Sequence, residues 1–112
     1  MKLIFFTIIL ILSTNSYSMD GNALYSLSNS SDVEIIQYNA YIEAVLDMTI
    51  LINKNNGTKI KNVCLPKGIS VKQVGDMVKK YLEANPELRH KNAASLVYAA
   101  LLVNNWQCKG NK

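Results

Sequence analysis

The longest periodic run in the chain is DVEIIQYNAYIEAVLDMTILINK, from Asp32 to Lys54. Ile35, Tyr38, Ile42, Val45, Leu46, Thr49 and Ile52 recur at helical spacing, so the pattern predicts a helix with that face in a core. Asp32 stands where an N-cap is needed, and Glu34 falls in the first turn, where a carboxylate meets the positive end of the helix dipole. Val33, Ile36, Ala40, Ala44, Met48 and Leu51 make a second apolar stripe on a different face. A helix in one small domain usually needs only one such stripe. The second is either covered by the rest of the chain, leaving the helix central, or it is a homodimer seam in which Ala40 and Ala44 let two backbones approach closely.

Around this helix the pattern predicts further helices and no strands. In DGNALYSLSNSS, residues 20–31, the spaced Ala23, Leu24 and Leu27 predict a short helix followed by a Ser/Asn linker. A turn-rich connection with Asn56-Gly57 follows over residues 53–68. Ser70-Val71-Lys72-Gln73 then fits a capping box, in which the Ser hydroxyl and the Gln amide each satisfy an unpaired N–H. Val71, Val74, Val78, Tyr81 and Leu82 continue as a core face, with Lys72, Asp76, Lys79, Lys80 and Glu83 toward water. Gly75 costs about 1 kcal/mol relative to Ala inside a helix, which points to close packing against a neighbour. Asn85-Pro86 ends the helix, because proline lacks the donor and forces the preceding residue out of the α region.

Glu87, Leu88, Arg89, His90 and Lys91 form a charged connection of one helical turn. After it, NAASLVYAALLVNNW is apolar almost all round, the signature of a buried helix. The fold class this predicts is all-α, a small helical bundle with that last helix as its central rod.

The first 18 residues stand apart. MKLIFFTIILILSTNSYS has a basic start at Lys2, an apolar run from Leu3 to Leu12, and small residues at Ser16 and Ser18, which together read as a signal peptide. An apolar run of about ten residues is too short for the roughly 30 Å hydrocarbon core of a bilayer. The expected organisation is therefore a leader over residues 1–18 and one exported domain over 19–112. Cleavage removes Lys2 and no acid, so the formal charge falls from +4 to +3. With its lysines interleaved with acids, the chain has no nucleic-acid arm, and no membrane partner is expected either.

Export also decides how the two cysteines, Cys64 and Cys108, are read. In an oxidising compartment such a pair normally closes a disulfide. The loop of about 45 residues would contribute roughly 4 kcal/mol in the chain-entropy model, comparable to the net stability of a small domain.

Residues able to do chemistry are scarce. His90 is the one histidine, so a Cys/His nucleophile would have to use a thiol that the disulfide consumes. Two cysteines and one histidine match no usual zinc spacing. The acids read as helix caps and solvated faces, and no Gly-rich phosphate loop occurs. No catalytic, metal or cofactor residue is assigned, and the chain reads as a non-enzymatic binding protein.

The order CLPKGIS, then YLEANPELRH, then AASLVYAAL, then WQC resembles the Tai/Rap family of immunity proteins, which protect bacteria against amidase effectors of type VI secretion. Cys64, Pro66, Gly68, Tyr81, Leu82, Pro86, Ala93, Ala94, Trp106 and Cys108 carry the resemblance over about half of the exported chain. Gln107 departs from it, standing where the family pattern has Pro. The resemblance implies a periplasmic, all-helical protein, often a homodimer, that binds a secreted peptidoglycan amidase and occludes its Cys/His active site.

Two surfaces are candidates for meeting such a toxin. The connector residues Asn85, Glu87, Arg89, His90 and Lys91 could project a charged tip without disturbing the core. The basic loop with Lys59 and Lys61 would suit an acidic rim. A rival reading is a periplasmic acid-stress chaperone, also small, helical and disulfide-stapled, although one histidine leaves little to titrate.

Overall fold

Four α-helices follow one another, with no strand among the described residues: α1 (Gly21–Ser28), α2 (Asp32–Lys54), α3 (Val71–Ala84) and α4 (Ala93–Val103), with a 3₁₀ turn at Pro86–Leu88 before α4. The computed structural model describes residues 18–54, 63–104 and 106. The predicted leader up to residue 17, the basic loop with Lys59 and Lys61, and Cys108 lie outside the described residues.

The core is one cluster drawn from all four helices: Leu24 of α1, Tyr38, Ile42 and Leu46 of α2, Val74, Val78 and Leu82 of α3, and Ala93, Leu96, Val97, Ala100 and Leu101 of α4. Val63 joins it from the segment before α3. The all-α expectation and the inward face of α2 hold up to Thr49, which is buried and bonds its hydroxyl back to the Val45 carbonyl at 2.8 Å. Ile52 does not follow and is exposed, as are Ile50 and Leu51 beside it in the last turns of α2. Asp32 is the first helical residue, and the carbonyl that opens the helix belongs to Ser31, which accepts from Glu34 N–H at 3.0 Å.

The capping box of α3 forms as read. Gln73 N–H donates to Ser70 Oγ at 3.1 Å, and Ser70 N–H donates to Gln73 Oε1 at 2.8 Å. Gly75 also has its neighbour: the Tyr38 ring lies where a Cβ would approach Cε1 to 3.1 Å, and the Tyr38 hydroxyl donates to the Gly75 carbonyl at 2.6 Å. Gly68 takes φ +85°, a left-handed turn that favours glycine, and leads the chain into Ser70.

Helix α4 is mostly buried, but it is only 11 residues long and its outer end is open, with Val103 exposed. It is thus one wall of the core and not a rod enclosed on every side. By length and composition alone Asp32–Ile52 could cross a membrane. Its inner face instead packs on α1, α3 and α4.

Candidate functional site

The connector between α3 and α4 is tied down from two directions. Helix α1 starts against it, and all of the first N–H groups of α1 are accounted for. Gly21 N–H donates to the Lys91 carbonyl at 3.0 Å and Asn22 N–H to the Arg89 carbonyl at 2.9 Å. Ala23 N–H donates to the Asp20 carboxylate at 2.8 Å and Leu24 N–H to the Asp20 carbonyl at 3.1 Å. The strap continues through an isolated bridge between Asp20 and Asn92, and through Ala93 N–H donating to the Met19 carbonyl at 2.9 Å. Gly21 is required here, since a Cβ would run into Leu96 Cδ1 and come within 2.8 Å of the Arg89 carbonyl oxygen.

The second tie is Arg89 itself. Its Nε donates to the Leu82 carbonyl at 2.8 Å, and its guanidinium lies 3.9 Å from the centroid of the Tyr25 ring. A cation at the last turn of α3 satisfies one of that helix's unpaired carbonyls and meets the negative end of its dipole. Asn85 occupies the neighbouring carbonyl, with both its backbone N–H and its side-chain Nδ2 donating to Tyr81, at 3.1 and 2.8 Å.

The five connector residues proposed as toxin contacts therefore divide. Arg89 and Asn85 are half-buried and engaged with α3, whereas Glu87, His90 and Lys91 are exposed. The charged tip exists, but Arg89 belongs to its scaffold. A run of charges such as ELRHK reads as uniformly solvated, and only the pairing of α3 with α1 singles out its arginine.

On α2 the second stripe is uncovered. Val33 is 68% exposed, Ile36 66%, Met48 55% and Leu51 51%, with Ala40 and Ala44 exposed between them. At 100° per residue these positions lie diametrically opposite Tyr38, Ile42 and Leu46. Enclosure of α2 by the rest of its own chain is thus excluded over the described residues.

Cys64, in the segment before α3, is joined by its backbone to Trp106, the last described residue. Its N–H donates to the Trp106 carbonyl at 2.8 Å, which holds it beside the chain just before Cys108. No described cysteine is free.

No cluster of three or more His, Cys, Asp or Glu side chains able to hold a metal occurs among the described residues. The shifted groups are tyrosines. Burial raises Tyr38 above its ordinary pKa, the Asp76 charge adds to this, and the Lys79 backbone opposes it. Burial likewise raises Tyr41, partly offset by the Ala94 backbone, and Tyr98. All three are neutral at physiological pH, so none serves as a ready base.

A family model described as Rap1a immunity proteins matches residues 20–108. That span begins at the α1 cap, includes every described helix, and ends at the second cysteine. Comparison with curated proteins and with solved structures gives no match.

Proposed function

The chain belongs to the Rap1a immunity proteins, and on that premise we propose that it binds a type VI secretion peptidoglycan amidase and occludes its Cys/His active site. An immunity protein has a cognate effector toxin as its partner, and here the chemistry resides in that partner. The observation that carries the reading is the match over residues 20–108, which takes in the whole described bundle. A rigid tip that presents Glu87, His90 and Lys91, backed by the α1 strap and the Arg89 tie, suits a surface meant to fill a cleft with little ordering cost.

Peptidoglycan places the encounter in the periplasm, which the leader read over residues 1–18 would allow the chain to reach. Cleavage after residue 18 would leave Met19 at the new terminus, with its carbonyl already bonded to Ala93. In that compartment Cys64 pairs with Cys108 and staples the segment before α3 to the end of the chain. The short backbone bond from Cys64 to Trp106 supports this pairing. Free-thiol titration of the native, unreduced protein should find none, and two thiols would remove the staple. The exposed α2 stripe is the seam of a homodimer in this reading.

Occlusion has its own test. In the complex, alkylation of the amidase's catalytic cysteine by iodoacetamide should slow by at least tenfold. A complex that forms while alkylation proceeds at the free rate would show binding away from the active site. Exchanging Lys91 and His90 for Glu should weaken toxin binding at least tenfold by calorimetry, and unchanged affinity would take the tip out of the interface.

A further inference from the structure

Glu87, His90 and Lys91 alone make too small a surface to hold a partner protein. A specific interface takes about 800 Å² from each side, roughly 20–30 residues. The remainder must come from surface beside the tip. On one flank the backbone fixes what that surface is: Gly21 N–H bonds the Lys91 carbonyl and Asn22 N–H the Arg89 carbonyl, at 3.0 and 2.9 Å. The first turn of α1 therefore lies against the connector, although the two are far apart in sequence.

We infer that the surface offered to the amidase continues from the connector tip onto α1, with Asn22 and Ala23 as contact residues beside His90 and Lys91. The inference rests on the reading of the connector as the toxin-facing tip and adds a second element to it. Asn22 and Ala23 are exposed, while Gly21 before them and Leu24 after them are buried. Helix α1 thus anchors itself through Gly21 and Leu24 and leaves the two residues between them to solvent, at the point where it is bonded to the connector.

Rigidity makes this flank usable. Ala23 N–H is held by the Asp20 carboxylate at 2.8 Å and Ala93 N–H by the Met19 carbonyl at 2.9 Å, so the first turn of α1 and the connector form one unit. Such a unit has little freedom left to lose on binding. Size gives the flank its shape: Asn22 and Ala23 are short beside the long side chain of Lys91, and they make a low shoulder onto which the wall of a cleft can close. A longer side chain at either position would hold that wall away. No acid stands in the first turn of α1, although a carboxylate there would stabilise the helix by about 0.3–1 kcal/mol. Glutamate at these positions therefore adds length and charge without weakening the fold.

Asn22→Glu and Ala23→Glu test contact apart from folding. Each is titrated against the cognate amidase by calorimetry, at a temperature where circular dichroism shows the variant fully helical. The chain with His90→Glu and Lys91→Glu is measured beside them, and so is Lys72→Glu. Lys72 is exposed and lies about 18 Å along α3 from Ala84, and its exchange moves the net charge in the same direction. Each α1 variant should bind at least tenfold more weakly than the parent, and Lys72→Glu should stay within twofold of it. Unchanged affinity in both α1 variants, with the His90 and Lys91 exchange still weakening binding, overturns the extension onto α1 and leaves the tip. A loss in Lys72→Glu as large as that in the α1 variants overturns the extension as well, because net charge then accounts for the effect. Unchanged affinity in all of them, or a parent chain that does not bind the amidase, overturns the tip reading and the extension together.

Discussion

Arg89 carries more of the fold than its place among charged neighbours suggests. It caps α3 through the Leu82 carbonyl, stacks on Tyr25 of α1 and offers its own carbonyl to Asn22. Losing a charge-assisted hydrogen bond and a cation–π contact together costs about 2 kcal/mol. Urea denaturation of Arg89→Ala should show that loss, while Lys91→Ala should stay within about 0.5 kcal/mol of the parent. Tyr38 supplies a pH signature. Its folded pKa is raised above the ordinary 10.0, so its contribution is fully present below that pH and is lost as pH rises through the folded value. Stability should therefore fall above about pH 10 and fall less steeply in Tyr38→Phe, as followed by denaturation at a series of pH values. Gly75 and its close neighbour were legible from sequence, because a helical glycine demands a packing reason. Arg89 was not, because its partners lie 7 and 64 residues away and leave no local pattern.

Among the elements, α3 is the most readable. Its capping box, its single buried face and its stop at Asn85-Pro86 are all local instructions, and each is obeyed. Ser70→Ala should cost about 1 kcal/mol by losing the cap. Helix α1 was legible as a short helix but not in its role. The Ser and Asn residues read as linker act as its C-terminal caps, with Ser28, Asn29 and Ser30 all bonding back to carbonyls of Tyr25 or Ser26. Its start is sewn to the connector by backbone bonds, which any sequence could make and no periodicity records. The one residue that betrays the contact is Gly21. Gly21→Ala should lower the thermal midpoint by several degrees, consistent with overpacking of about 1–3 kcal/mol against Leu96 and Arg89. Helix α2 divides cleanly: its inner face was read correctly to Thr49, and its outer stripe was visible as apolar, but only the fold decides that no other described residue covers it.

At the scale of the whole molecule, the described bundle leaves one helix face open and ties one charged tip down, and the proposed reading gives those two features separate uses. If the open face is the homodimer seam proposed above, Ala44→Arg should place a bulky charge in it and yield a monomeric mass in sedimentation equilibrium with the helical content unchanged. The tip is the proposed toxin-facing surface, through Glu87, His90 and Lys91, which the fold leaves exposed after Arg89 and Asn85 have been claimed by α3. Family membership was legible from the order of a few residues, among which Gly68 turns the chain, Pro86 follows the stop of α3 and Trp106 meets Cys64 through its backbone carbonyl. The toxin-facing residues have no such constraint within this chain, since their partner sets it. The central claim is that this protein silences an amidase without chemistry of its own. Its most direct test follows peptidoglycan hydrolysis by the cognate amidase as the purified chain is titrated in at neutral pH. Hydrolysis should fall to a floor at a fixed molar ratio, and undiminished hydrolysis with the chain in excess would contradict the account.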